Sequence, residues 1–285
     1  MLRVCTEQEY EQYIDFVYEI AIDPSKAGYP SYSDGIKTKE MFIERSKKAF
    51  SRDNEEILLF EYDGIVEGWV HYDYLSEDNY LSTVSFNINM HTEQALQEFL
   101  EFAKMQFKGY ELFLGYSKNN KKAVDFLSSY GFECIEEDYN NTAFLDKYEP
   151  AKVNDALVRI DKENYQYFRE IHNIIEGDMY WNSDRIYEDI DNWIIYVMVN
   201  NDETLGSVYY TVADDGWYEI FGIDMKDNVF DAEVFSELLK QALNTAKELN
   251  GKYMTFFCEE EGEEIAKNLG FECVGEYVCY KTVLN

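Results

Sequence analysis

Apolar residues recur along the chain at two different periods, and each period predicts one kind of secondary structure. A spacing of three to four residues occurs over Thr92–Phe107, where Leu96 and Leu100 fall on the same helix face. The same spacing continues over Asn120–Tyr130, and the next residue, Gly131, is suited to end a helix in the left-handed conformation. Both stretches are therefore predicted to be amphipathic helices packed on a sheet.

Alternating apolar and polar residues predict strands between the helices. The strongest signal is Asp63-Gly64, a two-residue turn sequence that joins the predicted strands Glu56–Tyr62 and Ile65–Tyr74 into a hairpin. The remaining elements predicted in the first half are helices at Glu7–Ile20 and Thr38–Ser51 and strands at Leu2–Cys5, Thr83–Met90, Glu111–Tyr116, Phe132–Glu136 and Thr142–Lys147.

Three short segments of the first half return in the second half in the same order, which indicates a duplication. The segment that begins at Gly131 returns at Gly270, 139 residues later, with the same Gly-Phe-Glu-Cys sequence. The other two echoes are the residues around Gly68 and Gly206, offset by 138, and Phe86–Met90 and Phe221–Met225, offset by 135. The repeat predicts two domains, 1–149 and 150–285, joined near Pro150.

The second half repeats the element order of the first, including a helix predicted at Glu163–Glu176. In both halves the order is strand, two helices, three strands, helix, strand, helix and two strands. This order predicts an α/β fold in which each domain is a mixed, mostly antiparallel sheet flanked by helices.

Charge and composition narrow the function classes. The chain carries 25 basic and 57 acidic residues, a net charge of −32, which disfavours nucleic acid and anionic membranes and favours cationic partners such as amines. Three scattered histidines and five cysteines without a C-x-x-C pair predict no metal site. Neither a long apolar run nor a secretory signal is visible, so a cytoplasmic location is expected.

One motif connects the chain to a known family. The sequence from Asn120 through Ala123 and Phe126 to Gly131-Phe132 resembles the late-helix motif of the GNAT acyl-CoA N-acyltransferases. The resemblance implies two GNAT-like domains in tandem, acetyl-CoA as co-substrate and a small-molecule or peptide amine, cationic in character, as acceptor. It also places Asn120 beside the acyl-CoA.

The phosphate-binding loop of the family is altered here. GNAT enzymes bind the CoA diphosphate with a glycine-containing loop that opens the long central helix, where main-chain N–H groups meet the anion. The matching stretches, Met225–Glu233 and Met90–Glu98, contain no glycine, and Asp231 stands where a small residue is expected. Asp231 can alternatively be a simple helix N-cap. The resemblance implies these donor-binding residues: Asn120, Ile223, Asp224, Met225, Asn228, Val229, Phe230, Asp231 and Ala232.

The catalytic positions differ between the halves. The family's general base is often a glutamate on the fourth strand, and the match in the second half is Glu219, against Val84 in the first. The tyrosine that often protonates the leaving thiolate is replaced by Leu127 and Ala266. The resemblance further implies that a main-chain N–H of Tyr218–Met225 holds the carbonyl oxygen.

Two further features have alternative interpretations. Tyr180 and Trp181, with Trp193 and Trp217, can line an amine pocket through cation–π contacts or can belong to the core. Cys258 closes the fifth strand of the second half and can be a nucleophile or a buried thiol.

Three functions are consistent with this sequence. The first is an N-acetyltransferase whose C-terminal domain is the active one, with Glu219 as catalytic base. The second is a catalytically inactive GNAT-like binding or scaffold protein, and the third is an enzyme with another acyl donor. The sequence does not determine the oligomeric state.

Overall fold

The computed structural model of the chain describes residues 1–175, 177, 179–201, 203–212 and 216–285. Two sequence assignments touch the gaps: Glu176, the last residue of a predicted helix, and Asp202, in the second repeat echo, lie outside the described residues. The chain divides into two compact units. Unit 1 comprises Met1–Asp138 and Gly275–Asn285, and unit 2 comprises Tyr139–Val274.

The elements follow the predicted order in both halves as far as the late helix, which is followed by one strand instead of two. Those of the first half are β1 (Leu2–Val4), α1 (Glu7–Ala21), α2 (Lys39–Lys47), β2 (Glu55–Tyr62), β3 (Ile65–Leu75), β4 (Tyr80–Ile88), α3 (Thr92–Gln106), β5 (Glu111–Ser117), α4 (Lys121–Tyr130) and β6 (Glu133–Phe144). Those of the second half are β7 (Leu157–Arg159), α5 (Gln166–Ile175), α6 (Ser183–Glu188), β8 (Trp193–Asn200), β9 (Glu203–Val212), β10 (Trp217–Met225), α7 (Ala232–Glu248), β11 (Tyr253–Cys258), α8 (Glu260–Asn268) and β12 (Phe271–Val283).

Each unit is built on a mixed, mostly antiparallel sheet, which confirms the predicted fold class. In unit 1 the strand order is β1-β2-β3-β4-β5-β12, and only β4 and β5 run parallel. In unit 2 the order is β6-β11-β10-β9-β8-β7, and only β10 and β11 run parallel. One parallel pair in the middle of an antiparallel sheet is thus common to both units.

Helices cover both faces of each sheet. In unit 1, one apolar core includes Leu96 and Leu100 of α3, and a second includes Val17 of α1. In unit 2, the corresponding cores include Leu238 of α7 and Phe168 of α5. No helix among the described residues is long and apolar enough to cross a membrane.

The predicted pairs of closing strands are single long strands. No turn interrupts β6 or β12, and each is divided between the units. Residues 139–144 of β6 pair with β11 of unit 2. Residues 277–283 of β12 pair with β5 of unit 1. The compact units therefore differ from the division at residue 149, because each half of the sequence contributes part of its final strand to the other unit.

Both sheets contain a bulge next to the parallel strands, and it changes the alignment of the halves. On β4 the register shifts so that Val84 is the extra residue, and on β10 the extra residue is Phe221. Matching the bulges makes Phe86 equivalent to Ile223, so the echo that paired Phe86 with Phe221 is displaced by two residues. Glu219 is then equivalent to Ser82, and the predicted match with Val84 is corrected.

Candidate active site

The parallel strands of unit 2 separate where the bulge begins. Four residues of β10, from Trp217 to Ile220, pair with Tyr253–Phe256 of β11. Past this point β10 continues to Met225 and β11 to Cys258. The bulge residue Phe221 follows directly, and an extra residue of this kind leaves its main-chain groups outside the ladder. The opening between β10 and β11 therefore has main-chain hydrogen-bonding groups at its start.

Glu219 lies two residues before the bulge on the sheet face covered by α5. It is half-buried and stands between Thr211 of β9 and Thr255 of β11 in the cross-strand register. The indole Nε1 of Trp217 donates to Thr255 Oγ1 at 2.9 Å. Glu219 thus sits in a polar row at the separation point of the two strands.

Aromatic rings form a continuous wall on the same face. Tyr180 contacts Trp181 with 5.1 Å between ring centroids, and Trp181 contacts Trp193 at 5.2 Å. Trp193 then contacts Phe221 at 5.0 Å. The structure brings together Tyr180, Trp181 and Trp193, as the sequence suggested. The wall also includes Phe221, which the sequence did not identify. The indole of Trp217, the fourth ring suggested by the sequence, is hydrogen-bonded to Thr255.

Asp224 is held in a buried polar cluster. Its carboxylate accepts from Ser207 Oγ at 3.1 Å and lies 2.8 Å from His172 Nδ1. The other ring nitrogen, His172 Nε2, lies 3.1 Å from the main-chain oxygen of Trp181. A carbonyl oxygen can only accept, so Nε2 donates to Trp181, and one further proton lies between Nδ1 and the Asp224 carboxyl. The cluster joins the end of β10 to the aromatic wall.

The other predicted donor-binding residues of β10 belong to the core. Met225 is buried against α7, and Ile223 is partly buried against the same cluster. The side chains of Ile223, Asp224 and Met225 therefore pack or pair within unit 2, and only their main chain runs along the opening.

The loop before α7 is exposed, and its helix N-terminus is already capped. Asn228, Val229, Phe230 and Ala232 are all exposed. The carboxylate of Asp231 accepts from the N–H groups of Glu233 at 3.0 Å and Val234 at 3.2 Å. These N–H groups are the ones a diphosphate would use, and a carboxylate at that place repels an anion. This loop does not fit the diphosphate of CoA.

The equivalent opening in unit 1 is filled by the chain itself. Tyr80–Ser82 of β4 pair with Glu111–Phe113 of β5, and the strands then separate. Residues 27–29, between α1 and α2, lie in the gap. The N–H of Gly28 donates to the oxygen of Phe86 at 2.8 Å, and the N–H of Tyr29 donates to the oxygen of Gly115 at 2.8 Å. The segment bridges β4 and β5 at the place equivalent to the separation of β10 and β11.

Asn120 supports this bridging segment. Its side chain is fully buried, its Oδ1 accepts from the N–H of Ala123 at 3.3 Å, and its Nδ2 donates to the oxygen of Ala27 at 3.2 Å. The resemblance implied a contact between Asn120 and acyl-CoA. In this structure the same amide caps α4 and holds residue 27.

No conventional nucleophile or acid completes the site among the described residues. Leu127 and Ala266 stand at the family's tyrosine position and are fully buried. Cys258 is buried, and Asn141 Nδ2 lies 3.3 Å from its sulfur. In the parts of the chain that the structure describes, no cluster of His, Cys, Asp and Glu could hold a metal ion.

Three solved structures, two of them of GNAT proteins, have a similar arrangement over most or all of the chain. A GCN5-related N-acetyltransferase from Sphaerobacter thermophilus is 10% identical with a TM-score of 0.68, over 100% of this chain and 96% of that one. A tandem GNAT protein from the clavulanic acid biosynthesis pathway is 12% identical with a TM-score of 0.56, over 100% and 99% of the two chains. A functionally unknown conserved protein from Staphylococcus epidermidis is 12% identical with a TM-score of 0.60, over 88% and 99%.

Sequence comparison adds no nearer relative. No protein-family model matches the chain, and a comparison with curated proteins gave no match. The structural likeness extends over both halves and agrees with the paired sheets, the single parallel pair in each and the separation beyond it. The chain therefore has the GNAT fold in its tandem, two-domain form.

Proposed function

We propose that the chain is an N-acyltransferase that moves an acyl group from a thioester donor to an amine, with its active site in unit 2. One observation carries the proposal: Glu219 stands two residues before the bulge at the point where β10 and β11 separate. Acyl transfer to an amine requires an acid–base group for the amine and a main-chain N–H for the oxyanion, both at one opening.

The residues have distinct roles in this reaction. Glu219 takes a proton from the ammonium of the acceptor, directly or through one water, and leaves a neutral amine. The amine nitrogen then bonds to the thioester carbonyl carbon while a main-chain N–H at the bulge stabilises the developing oxyanion. The nitrogen loses its surplus proton to solvent, the carbon–sulfur bond breaks, and the thiolate leaves. Because Ala266 occupies the tyrosine position, solvent protonates the thiolate.

Donor recognition is expected to rest on the thioester arm. The carboxylate of Asp231 takes two of the N–H groups that would meet a diphosphate. The net charge of −32 adds a long-range repulsion of the CoA phosphates. Acyl-CoA, which the family resemblance implies, is then a weak donor, and a neutral acyl-pantetheine should serve equally well or better.

Unit 1 is proposed to have a structural role. Residues 27–29 bond to both β4 and β5, and Asn120 holds residue 27 from the other side. A donor arm would need to displace these contacts. The proposal therefore gives each chain a single donor site.

Measuring the release of free thiol from the acyl donor tests this reaction. S-acetyl-pantetheine and acetyl-CoA would each be offered with a panel of primary amines. Glu219→Gln should slow release by about 100-fold or more while the affinity for the donor stays the same. Glu248→Gln, an exposed glutamate of α7, is the matched control and should behave like the wild type. No amine-dependent thiol release from either donor would refute the proposal.

A binding or scaffold protein without catalysis is the second candidate. The capped helix terminus at Asp231 and the filled opening in unit 1 favour it. Thermal unfolding separates the two candidates, since a ligand that binds only the folded state raises Tm by mass action. No rise with millimolar S-acetyl-pantetheine or acetyl-CoA would favour the scaffold.

A further inference from the structure

Resting on the proposed function, we infer that the acceptor is a primary amine joined by a short linker to a flat aromatic ring. The wall formed by Tyr180, Trp181, Trp193 and Phe221 is the subsite for that ring. Glu219 is the subsite for the amine.

The wall has a buried base and exposed edges. Trp193 is 3% exposed and anchors the neighbouring rings. Tyr180 and Phe221 are 50% and 43% exposed, large values for aromatic side chains that already contact other rings. Edge-to-face contact with a further ring would bury these edges, and such aromatic pairs contribute beyond their area.

The register places Glu219 beside this wall. Glu219 of β10 and Trp193 of β8 both lie opposite Thr211 of β9, so the three side chains share one face of the sheet. Phe221 contacts Trp193 from this same face. Glu219 and Phe221 are two positions apart along the strand, roughly 6–7 Å. A linker of about two or three carbons spans that distance.

The guanidinium of Arg185 lies at the Tyr180 end of the wall. This guanidinium lies 4.2 Å from the centroid of the Tyr180 ring, and its Nη1 donates to the main-chain oxygen of Tyr180 at 3.0 Å. This positive charge covers the end of the wall farthest from Glu219.

Calorimetric titration of the full chain tests the subsite without requiring catalysis. The probes are 2-phenylethylamine, butylamine and 1,4-diaminobutane, each at about 0.15 M salt to screen the acidic surface. 2-Phenylethylamine should bind at least about tenfold more tightly than either other amine. Phe221→Ala and Tyr180→Ala should each weaken the binding of 2-phenylethylamine by about fivefold or more. Both side chains are exposed, so these variants should fold.

Tyr187→Ala is the matched control. Tyr187 is also an exposed tyrosine of unit 2 with an arginine near its ring, Arg169, but it lies outside the wall. Its variant should bind 2-phenylethylamine as the wild type does. Equal weakening by Tyr187→Ala and Tyr180→Ala would overturn the inference.

The outcomes separate this inference from the proposed function. Preferential binding of 2-phenylethylamine without thiol release from any donor would support the subsite and refute catalysis. Thiol release that is as fast with butylamine or 1,4-diaminobutane would support catalysis and overturn the ring subsite. Equal binding of all three amines, or of none, would also overturn it.

Discussion

The carboxylate of Asp231 accepts the N–H of Val234 at 3.2 Å and so occupies the helix terminus at which GNAT enzymes bind a diphosphate. Replacing Asp231 by serine keeps a capping oxygen but removes the charge. We expect Asp231→Ser to tighten CoA binding by about two- to fivefold, in line with the energy of one charge at a helix terminus. Calorimetry at low salt measures the change.

Pantetheine supplies the control for this prediction, because it lacks the diphosphate. Its affinity should be the same for Asp231→Ser and the wild type. If Asp231→Ser raised the affinity for pantetheine as much as that for CoA, the substitution would be acting on the opening between β10 and β11 rather than on the anion site.

The bridging segment of unit 1 depends on a glycine. A methyl group on Gly28 would lie 2.8 Å from the nitrogen of Phe86 and 3.0 Å from its Cβ. We expect Gly28→Ala to destabilise the chain by about 1–3 kcal/mol, the usual cost of overpacking. Chemical denaturation followed by circular dichroism measures it. Gly275→Ala, where nothing lies within 4 Å, should change stability by less than about 0.5 kcal/mol.

The proton between His172 Nδ1 and Asp224 is expected to lie on the ring, because Asp224 also accepts from Ser207 Oγ as a carboxylate would. Nitrogen NMR at pH 7 should find protons on both ring nitrogens. Removing the ring in His172→Ala leaves Asp224 buried without its counter-charge, which should destabilise the chain by about 3–5 kcal/mol. Asp224→Asn should destabilise it less, because the amide can donate to a neutral ring. A single ring proton in the wild type, or the reverse order of stability, would contradict this assignment.

Low pH should destabilise unit 1 because it protonates Glu55. Burial alone would raise the pKa of Glu55, but hydrogen bonds from His71, Arg45 and Arg52 lower it well below its ordinary value of 4.5. A lowered carboxyl pKa stabilises the fold above the ordinary value, and the stabilisation is lost as the pH falls toward the lowered one. Glu55→Gln should destabilise the chain by about 1–3 kcal/mol at pH 7.

The difference in Tm between wild type and Glu55→Gln should therefore be constant from pH 7 to about 5 and shrink below the ordinary pKa of 4.5. Scanning calorimetry across this range tests the sign. A difference that grew on acidification would contradict the assignment of the ion cluster around Glu55.

Periodicity predicted the order of elements in both halves, because each helix and strand buries one face and the sequence records that face. The residues at which the strands end were less predictable. Two closing strands were expected after each late helix, yet β6 and β12 run through without a turn. The acidic run after Ile135 and the glycine at 275 lie inside these strands, because extended backbone tolerates both.

The site was predicted in part. Glu219 and the rings of Tyr180, Trp181 and Trp193 were identified from sequence, and the structure places them on one face. The bulges were not predicted, because the pattern of apolar residues does not identify one extra residue in a strand. The alignment of the two halves was therefore wrong by two residues at these strands. The bridging segment was also missed, since its bonds to Phe86 and Gly115 join residues far apart in the chain.

The division of β12 between the units sets the order in which the molecule can be completed. Unit 1 begins at the first residue, yet β5 receives its second partner strand only from residues 277–283, after all of unit 2 has been synthesised. A nascent chain therefore exposes an unpaired β5 edge while unit 2 is being made, and such an edge invites pairing with other chains. No single cut in the sequence releases unit 1 intact, so the duplicated halves, although similar in plan, are not separable parts.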